Sequence, residues 1–236
     1  MLVIEAAIAK RSKYAVSESG DTVELVERPR GGISLIMADG QSSGRAAKAI
    51  SNMVARKAAS LLAEGVRDGA AARAASDYLL ASRHGQVSAD LVMLTADLST
   101  HTLLVTRNTG CPVLVVQDGE LTVLDEPSSA LGTNRMIRPQ IVELPLQAGQ
   151  CVVAFTDGIL EAGSPVSRPQ TAPSWLVELA LAESARPQLL ADAALEQATR
   201  LDSGRPRDDM SVVVLTTSAS EVRTDVRRMH VVFPVA

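Results

Sequence analysis

"VVAFTDGILEAG", residues 152–163, is the stretch on which the reading of this chain turns. Its apolar run, Val152 to Phe155, has the composition of a buried strand, and it stops on Asp157-Gly158. Asp-Gly is among the strongest short turn signals, so a hairpin turn is the plain reading. The chain supplies its own test, because it contains four Asp-Gly pairs.

Two of the four read as ordinary structure. Asp118-Gly119 lies between "PVLVVQ" and "ELTVL", the setting of a two-residue hairpin. Asp68-Gly69 opens an Ala-rich helical stretch, where Asp is expected to cap free N–H groups. The other two end apolar strands without a returning partner. "ISLIMADG" runs into "QSSG" and a long helix, and "CVVAFTDG" runs into "ILEAG" and a loop. Asp39 and Asp157 are therefore placed at the carboxyl ends of core strands. Asp208-Asp209 mirrors them by preceding the apolar run "MSVVVL", and Gly20-Asp21 opens "TVELVE". Carboxylates at the edge of a core are costly unless paired or bound to a cation. If the strand ends converge, three or four carboxylates with a backbone carbonyl and water make an oxygen site for Mg²⁺ or Mn²⁺.

Outward from these pairs, short β-like runs fill the first forty residues: "LVIEAAIA", "KYAVSES", "TVELVERP" and "GISLIMA". From Gly44 to Leu62, Ala47, Ile50, Val54, Ala58 and Leu61 recur at helical spacing. A second helix follows Asp68-Gly69 to about His84, closed by Gly85. Strands return from Val87 through "QCVVAFT". A Pro- and Ser-rich loop covers 163–173, then helices are expected over about Ser174 to Ser184 and Pro187 to Leu201 before the last strand. Strands and helices in blocks indicate an α+β fold in one domain spanning 1–236, with about 218–236 as a C-terminal extension.

Composition narrows the function classes. The chain has 236 residues, is 46% hydrophobic and only 2% aromatic, so its core is aliphatic. A formal net charge of −4 leaves no electrostatic footprint for nucleic acid. The N-terminal apolar run is short and interrupted by Glu5, and nothing approaches the length of a membrane span, so a cytoplasmic setting is expected. Cys111 and Cys151 are too few for a disulfide framework or a thiolate metal site.

The order of the motifs resembles the metal-dependent protein phosphatases, the PPM or type 2C family, and within it the bacterial SpoIIE-like branch. "SGDTVEL", "MADGQSSGRAA", "NTGCPVLVV", "LQAGQCVVAFTDGILEA" and "RPRDDMSVVVL" carry the resemblance, from about Asp21 to Leu215. It implies an αββα sandwich of two antiparallel sheets flanked by helix pairs, and a binuclear site for two Mn²⁺ or Mg²⁺ ions. It further implies that Asp39 bridges the ions, that Gly40 offers its carbonyl, and that Asp157 and Asp208 complete one shell. Asp21 is placed near the second ion, and Asp209 orients its loop or holds an extra ion. The implied activity is hydrolysis of a phosphomonoester on a phosphorylated serine or threonine of a regulatory protein, such as an anti-sigma-factor antagonist.

There are departures from the pattern. Ser42 stands where the family turn has its second Gly, and Cys111 replaces the His of a Gly-His-Pro hairpin, a change expected to affect packing more than chemistry. No arginine matches the phosphate-binding one of other type 2C enzymes, with Arg45 and Arg207 as candidate substitutes. His84, His101 and His230 fall outside the carboxylate motifs. A catalytically silent relative acting as a binding module in a signalling complex is the alternative, and three retained carboxylates argue against it. The tail, "EVRTDVRRMHVVFPVA", ends too apolar for a free terminus. It either adds an edge strand to its own sheet or lies in a groove, or it pairs with a second copy as a homodimer or serves as the docking edge for a partner.

Overall fold

The computed structural model describes residues 1–164 and 171–234, so part of the 163–173 loop and the last two residues of the tail lie outside the described residues. The chain opens with β1 (Leu2–Arg11), β2 (Asp21–Glu27) and β3 (Gly32–Gly40), followed by helices α1 (Gly44–Ala63) and α2 (Asp68–Arg83). Then come β4 (Ala89–Asp97), β5 (Thr102–Asn108), β6 (Val113–Gln117), β7 (Glu120–Leu124), β8 (Gln140–Pro145) and β9 (Gln150–Phe155). The short helix α3 (Asp157–Leu160), helices α4 (Ser174–Glu183) and α5 (Pro187–Leu201), and strand β10 (Met210–Ala219) complete it.

The strands form two antiparallel sheets, one in the order β1-β10-β9-β6-β7 and the other β2-β3-β4-β5-β8. Alternation along each strand sorts its side chains into layers. On β3, Leu35 and Met37 face the other sheet, and together with Val92 and Leu94 of neighbouring β4 they pack against Val152 and Val213. Ile36 and Ala38 face outward and pack on α1 and α2 through Val54, Ala58 and Leu79. On the opposite side Val153, Val212 and Val214 lie under α4 and α5 through Leu176, Ala191 and Ala194. The result is the αββα sandwich that the motifs implied. With so few aromatic residues, three aliphatic layers carry the burial.

The register has one consequence for chemistry. The parity that turns Leu35 and Met37 inward also turns Asp39 inward at the end of the same strand.

Local expectations fared unevenly. "KYAVSES" is not a strand but an irregular loop with Ala15 at φ 62°, because its backbone is tied elsewhere, as described below. Asp68 does not cap α2: Arg67 occupies the N-cap without a side-chain bond. Asp68 is instead buried, paired with Arg28 at 3.1 Å and accepting a short hydrogen bond from Thr95 Oγ1. The tail over 221–234 joins no strand, and Val231, Val232 and Phe233 are exposed. No described helix is long and apolar enough to cross a membrane.

Candidate metal centre

The four Asp-Gly pairs separate by backbone geometry. Asp118 and Gly119 have φ of 51° and 80°, both left-handed, and close the β6–β7 hairpin as a primed two-residue turn. Gly40 and Gly158 do neither: both lack positive φ and are glycines because another backbone approaches them. A Cβ on Gly40 would lie 2.2 Å from the carbonyl oxygen of Ala47 in α1, and one on Gly158 would lie 2.1 Å from the carbonyl oxygen of Asp209. These contacts bring α1 down onto the end of β3 and seat α3 against the start of β10. Asp39 is thereby fixed at one wall of a cleft, and Asp157 is drawn towards Asp208.

On the facing sheet the carboxylates form a single rung. Asp21 pairs with Asp39 across β2 and β3, and Asp39 pairs with Asp90 across β3 and β4. Directly opposite residues on neighbouring antiparallel strands have Cβ atoms about 4.5–5.5 Å apart, and like charges there are destabilising. Asp39 and Asp90 line one small pocket with Asp157, Thr109 and Cys111. Asp21, Asp39, Asp157 and Asp208, which the motifs singled out, thus converge at one end of the sandwich. Asp90 was missed. Its one signal was a carboxylate opening an apolar strand, "DLVML", the pattern that had flagged Asp208-Asp209.

Hydroxyls orient the outer members. Asp21 is fully buried, and its Oδ2 accepts from Ser211 Oγ at 2.6 Å and Thr156 Oγ1 at 3.1 Å. Its Oδ1 is buried with no hydrogen-bond partner. Asp90 Oδ2 accepts from Thr109 Oγ1 at 2.6 Å. The Asp21 backbone carbonyl, on the free edge of β2, receives both Lys10 Nζ and Lys48 Nζ at 2.7 Å. Asp208 Oδ1 accepts the Asp209 N–H at 2.9 Å. Asp209 belongs to the loop: its oxygens take the N–H groups of Lys13 at 2.9 Å and Gly20 at 2.8 Å. Those bonds keep "KYAVSES" from extending as a strand.

Charge accumulates here faster than it is compensated. Burial, followed by the charges of Asp21, Asp157 and Asp90, raises the Asp39 carboxyl from 3.8 to about 10. Burial and then Asp208 raise Asp157 to about 7. Burial raises Asp21 to about 6 despite the bond from Ser211 and the charge of Lys10. Asp208 is raised too, by burial first, with Lys13 opposing. Cys111 is pushed up by burial and by Asp90 and Asp157, so its thiol keeps its proton.

The two candidate arginines stand apart from this charge. Arg45 is exposed on α1. Arg207 pairs with Asp202 at 3.1 Å and donates to the Glu161 carbonyl at 2.7 Å.

The donor set suits a hard divalent cation. It is all carboxylate and carbonyl oxygen, it includes a buried oxygen with no donor, and its like charges are relieved by a cation. Among the described residues no three Asp, Glu, His or Cys side chains converge into a ready-made metal shell. Hard ions take part of their shell from carbonyls and water, and carboxylates facing one another without a counter-ion repel.

Known proteins show the same arrangement of elements. Stage II sporulation protein E of Priestia megaterium is 20% identical over 213 residues, covering 90% of this chain but only 36% of that protein. The PP2C phosphatase domain of SpoIIE from Bacillus subtilis, solved with a fragment of its regulatory domain, superposes with a TM-score of 0.77 at 21% identity, over 92% of this chain and 64% of that one. The catalytic domain of the serine/threonine phosphatase PstP, solved in complex with 2 manganese ions, superposes at 0.69 with 20% identity, over 93% of this chain and 100% of that one. At this identity the superpositions establish a common fold. The family model described as Stage II sporulation protein E (SpoIIE) matches residues 29–218, from just before β3 to the end of β10, and the chain belongs to that family.

Proposed function

We propose that this protein is a serine/threonine phosphatase, dependent on Mn²⁺ or Mg²⁺, that hydrolyses a phosphomonoester on a regulatory phosphoprotein. The observation that carries this is the rung of carboxylates on β2, β3 and β4 facing Asp157 and Asp208, each titrated part of it held above the ordinary carboxylate range by burial and mutual charge. The PstP structure with two manganese ions supports the metal class.

Asp39, whose carboxyl feels the charges of both Asp21 and Asp157, would be the central residue holding the ions. Asp157, Asp208 and the Gly40 carbonyl would help to hold them, as would Asp21, whose Oδ1 is buried without a hydrogen-bond partner. Asp209 acts at one remove, by holding the loop that carries Gly20 against Asp21. When bound, such ions lower the pKa of coordinated water and screen the charge of a phosphoryl group. Ser211 and Thr156 fix the Asp21 carboxylate so that it does not swing away. Gly40 and Gly158 fix the strand ends that carry Asp39 and Asp157.

Neither the thiol nor the histidines of the described residues are suited to act as nucleophile. The Cys111 thiol is held protonated, and His84, His101 and His230 are exposed elsewhere. Water would be the attacking group.

The substrate class proposed is a phosphorylated regulatory protein, such as an anti-sigma-factor antagonist, and the setting proposed is cytoplasmic. The test is release of phosphate from an aryl phosphate and from a phosphoserine protein, before and after exhaustive dialysis against chelator. Activity should vanish on dialysis and return with Mn²⁺, and with Mg²⁺ less readily because that ion gives up its waters reluctantly. Undiminished turnover in excess chelator would refute the proposal. A protein that takes up Mn²⁺ yet releases no phosphate from either substrate would be the silent binding module.

A further inference from the structure

We propose that Asp90 is an additional ligand for the divalent ions, so that β2, β3 and β4 each contribute one carboxylate from the same rung. This rests on the metal reading above and deepens it.

Three features of Asp90 converge. The register places Asp90 directly opposite Asp39, as Asp21 is on the other side, and strand parity turns it to the inner face with Val92 and Leu94. Asp90 lines the same pocket as Asp39 and Asp157, and its charge acts on both carboxyls and on the Cys111 thiol. Its mooring repeats that of Asp21: each outer carboxylate is held through Oδ2 by a hydroxyl at 2.6 Å, Thr109 for Asp90 and Ser211 for Asp21.

The bond to Thr109 needs only an acceptor, which Asn or Thr supplies without charge. The charge adds a like-sign neighbour to Asp39, at a cost that a shared cation removes. The orphaned Asp21 Oδ1, buried in the same rung, points independently to a ligand between these strands. Affinity for hard cations is tuned by the number of charged ligands, so a third carboxylate in the rung should tighten binding or admit a further ion.

Calorimetric titration of Mn²⁺ into the metal-free protein, together with its melting temperature, tests this without reference to turnover. Asp90→Asn should bind Mn²⁺ more weakly by at least the roughly 10- to 100-fold found for partners one shell further out, or bind one ion fewer. Its metal-free form should melt above the wild type, because a like charge facing Asp39 is gone. Asp90→Thr, a good strand residue that keeps a hydroxyl for Thr109, should behave alike and guards against a variant that fails to fold. Asp39→Asn is the control. If it loses Mn²⁺ while both Asp90 variants keep wild-type affinity and stoichiometry, the Asp90 assignment is wrong and the site stands. If Asp39→Asn also binds as the wild type does, the metal reading itself fails.

Discussion

Strand β4 carries a carboxylate at each end, and the two ends have opposite electrostatics. At its finish, Asp97 lies 3.5 Å from Arg28 Nε, and the same guanidinium reaches Asp68 at 3.1 Å. Burial alone would raise the Asp97 carboxyl, but hydrogen bonds from Ser99 and the charge of Arg28 hold it below its ordinary value. At the start of β4, Asp90 meets Asp39, Asp157 and the rest of the ring, where Lys10 and Lys13 oppose the charge without cancelling it. One cation between two acids makes a structural joint. Several acids raised together make a place that needs a cation from outside. What marks the site is a set of carboxyls raised together by burial and by one another, and carboxylates alone do not.

The largest effect should separate Asp39 from a turn carboxylate of the same dipeptide. Asp39→Asn removes the central charge of the rung, and turnover with Mn²⁺ should fall on the order of a thousandfold, as expected when the activated water is lost with the ions. Asp118→Asn, in the left-handed hairpin turn, should leave turnover unchanged and stability within about 0.5 kcal/mol, since Asn tolerates that conformation as well as Asp. Steady-state kinetics and thermal melts of the two variants check this. Equal losses would erase the distinction between turn and site.

Next in size is the compensated end. Arg28→Met leaves Asp68, which is buried, and Asp97 facing each other without their cation. Breaking a buried pair by removing one partner costs about 3–5 kcal/mol. For a domain of this size that is a fall in melting temperature of roughly 6–20 °C. Turnover per folded molecule should be unaffected, because the joint lies at the far end of β4 from Asp90. A variant that melts normally but loses Mn²⁺-dependent activity would reverse the roles assigned to the two ends.

Much of this architecture was legible in the sequence. The alternation of Leu35, Met37 and Asp39 on β3, and the helical spacing from Ala47 to Leu61, are local patterns, and they delivered the layers. Asp39 and Asp157 stood out because an apolar strand ending in Asp-Gly has no local partner. Asp90 did not stand out, because its meaning lies in the register between β3 and β4, which joins residues about fifty positions apart. Asp68 was misread for the same reason: its partner, Arg28, is forty residues away, and a helix start offered a local explanation. The loop "KYAVSES" has strand-like composition, yet Asp209, nearly two hundred residues later, holds its ends. Patterns closed within one element were readable, and pairings set by tertiary register were not.

The pH dependence of the metal-free protein should also divide the two ends. Asp21, Asp157 and Asp39 titrate at about 6, 7 and 10 in the folded chain against an ordinary 3.8, so above that value the folded state holds protons that the unfolded chain has released. Stability then falls as pH rises, from above the unfolded value through each folded one. The Arg28 end has the opposite sign: Asp97 is depressed, so its contribution is present above 3.8 and lost only in acid. In chelator, the melting temperature should therefore decline from about pH 5 to about pH 8, and Mn²⁺ should flatten the decline by holding the ring ionised. A melting temperature that rises with pH in chelator would mean the ring is compensated in some other way.

The smallest effect concerns a third acid–base contact, one compensated but not buried. Arg227 in the tail pairs with Glu27 at the end of β2, with side chains 73% and 44% exposed. Exposed pairs contribute about 0–1 kcal/mol, so cutting the chain after Ser220 should lower the melting temperature by no more than about 2–4 °C. The expectation that the tail adds a strand to its own sheet implied a larger loss, and the tail over 221–234 makes no such strand. Val231, Val232 and Phe233, at 83%, 76% and 84% exposure, are left as an apolar run in water. A second copy of the chain is the proposed cover, pairing along an edge strand. Size-exclusion chromatography with light scattering on the full and shortened proteins decides it: the full chain should run as a dimer and the shortened one as a monomer, with the same Mn²⁺-dependent turnover. If both run as monomers, the tail does not mediate self-association. If truncation also abolishes turnover, the tail supports the uncompensated end of the molecule, and the separation drawn between that end and the surface pair does not hold.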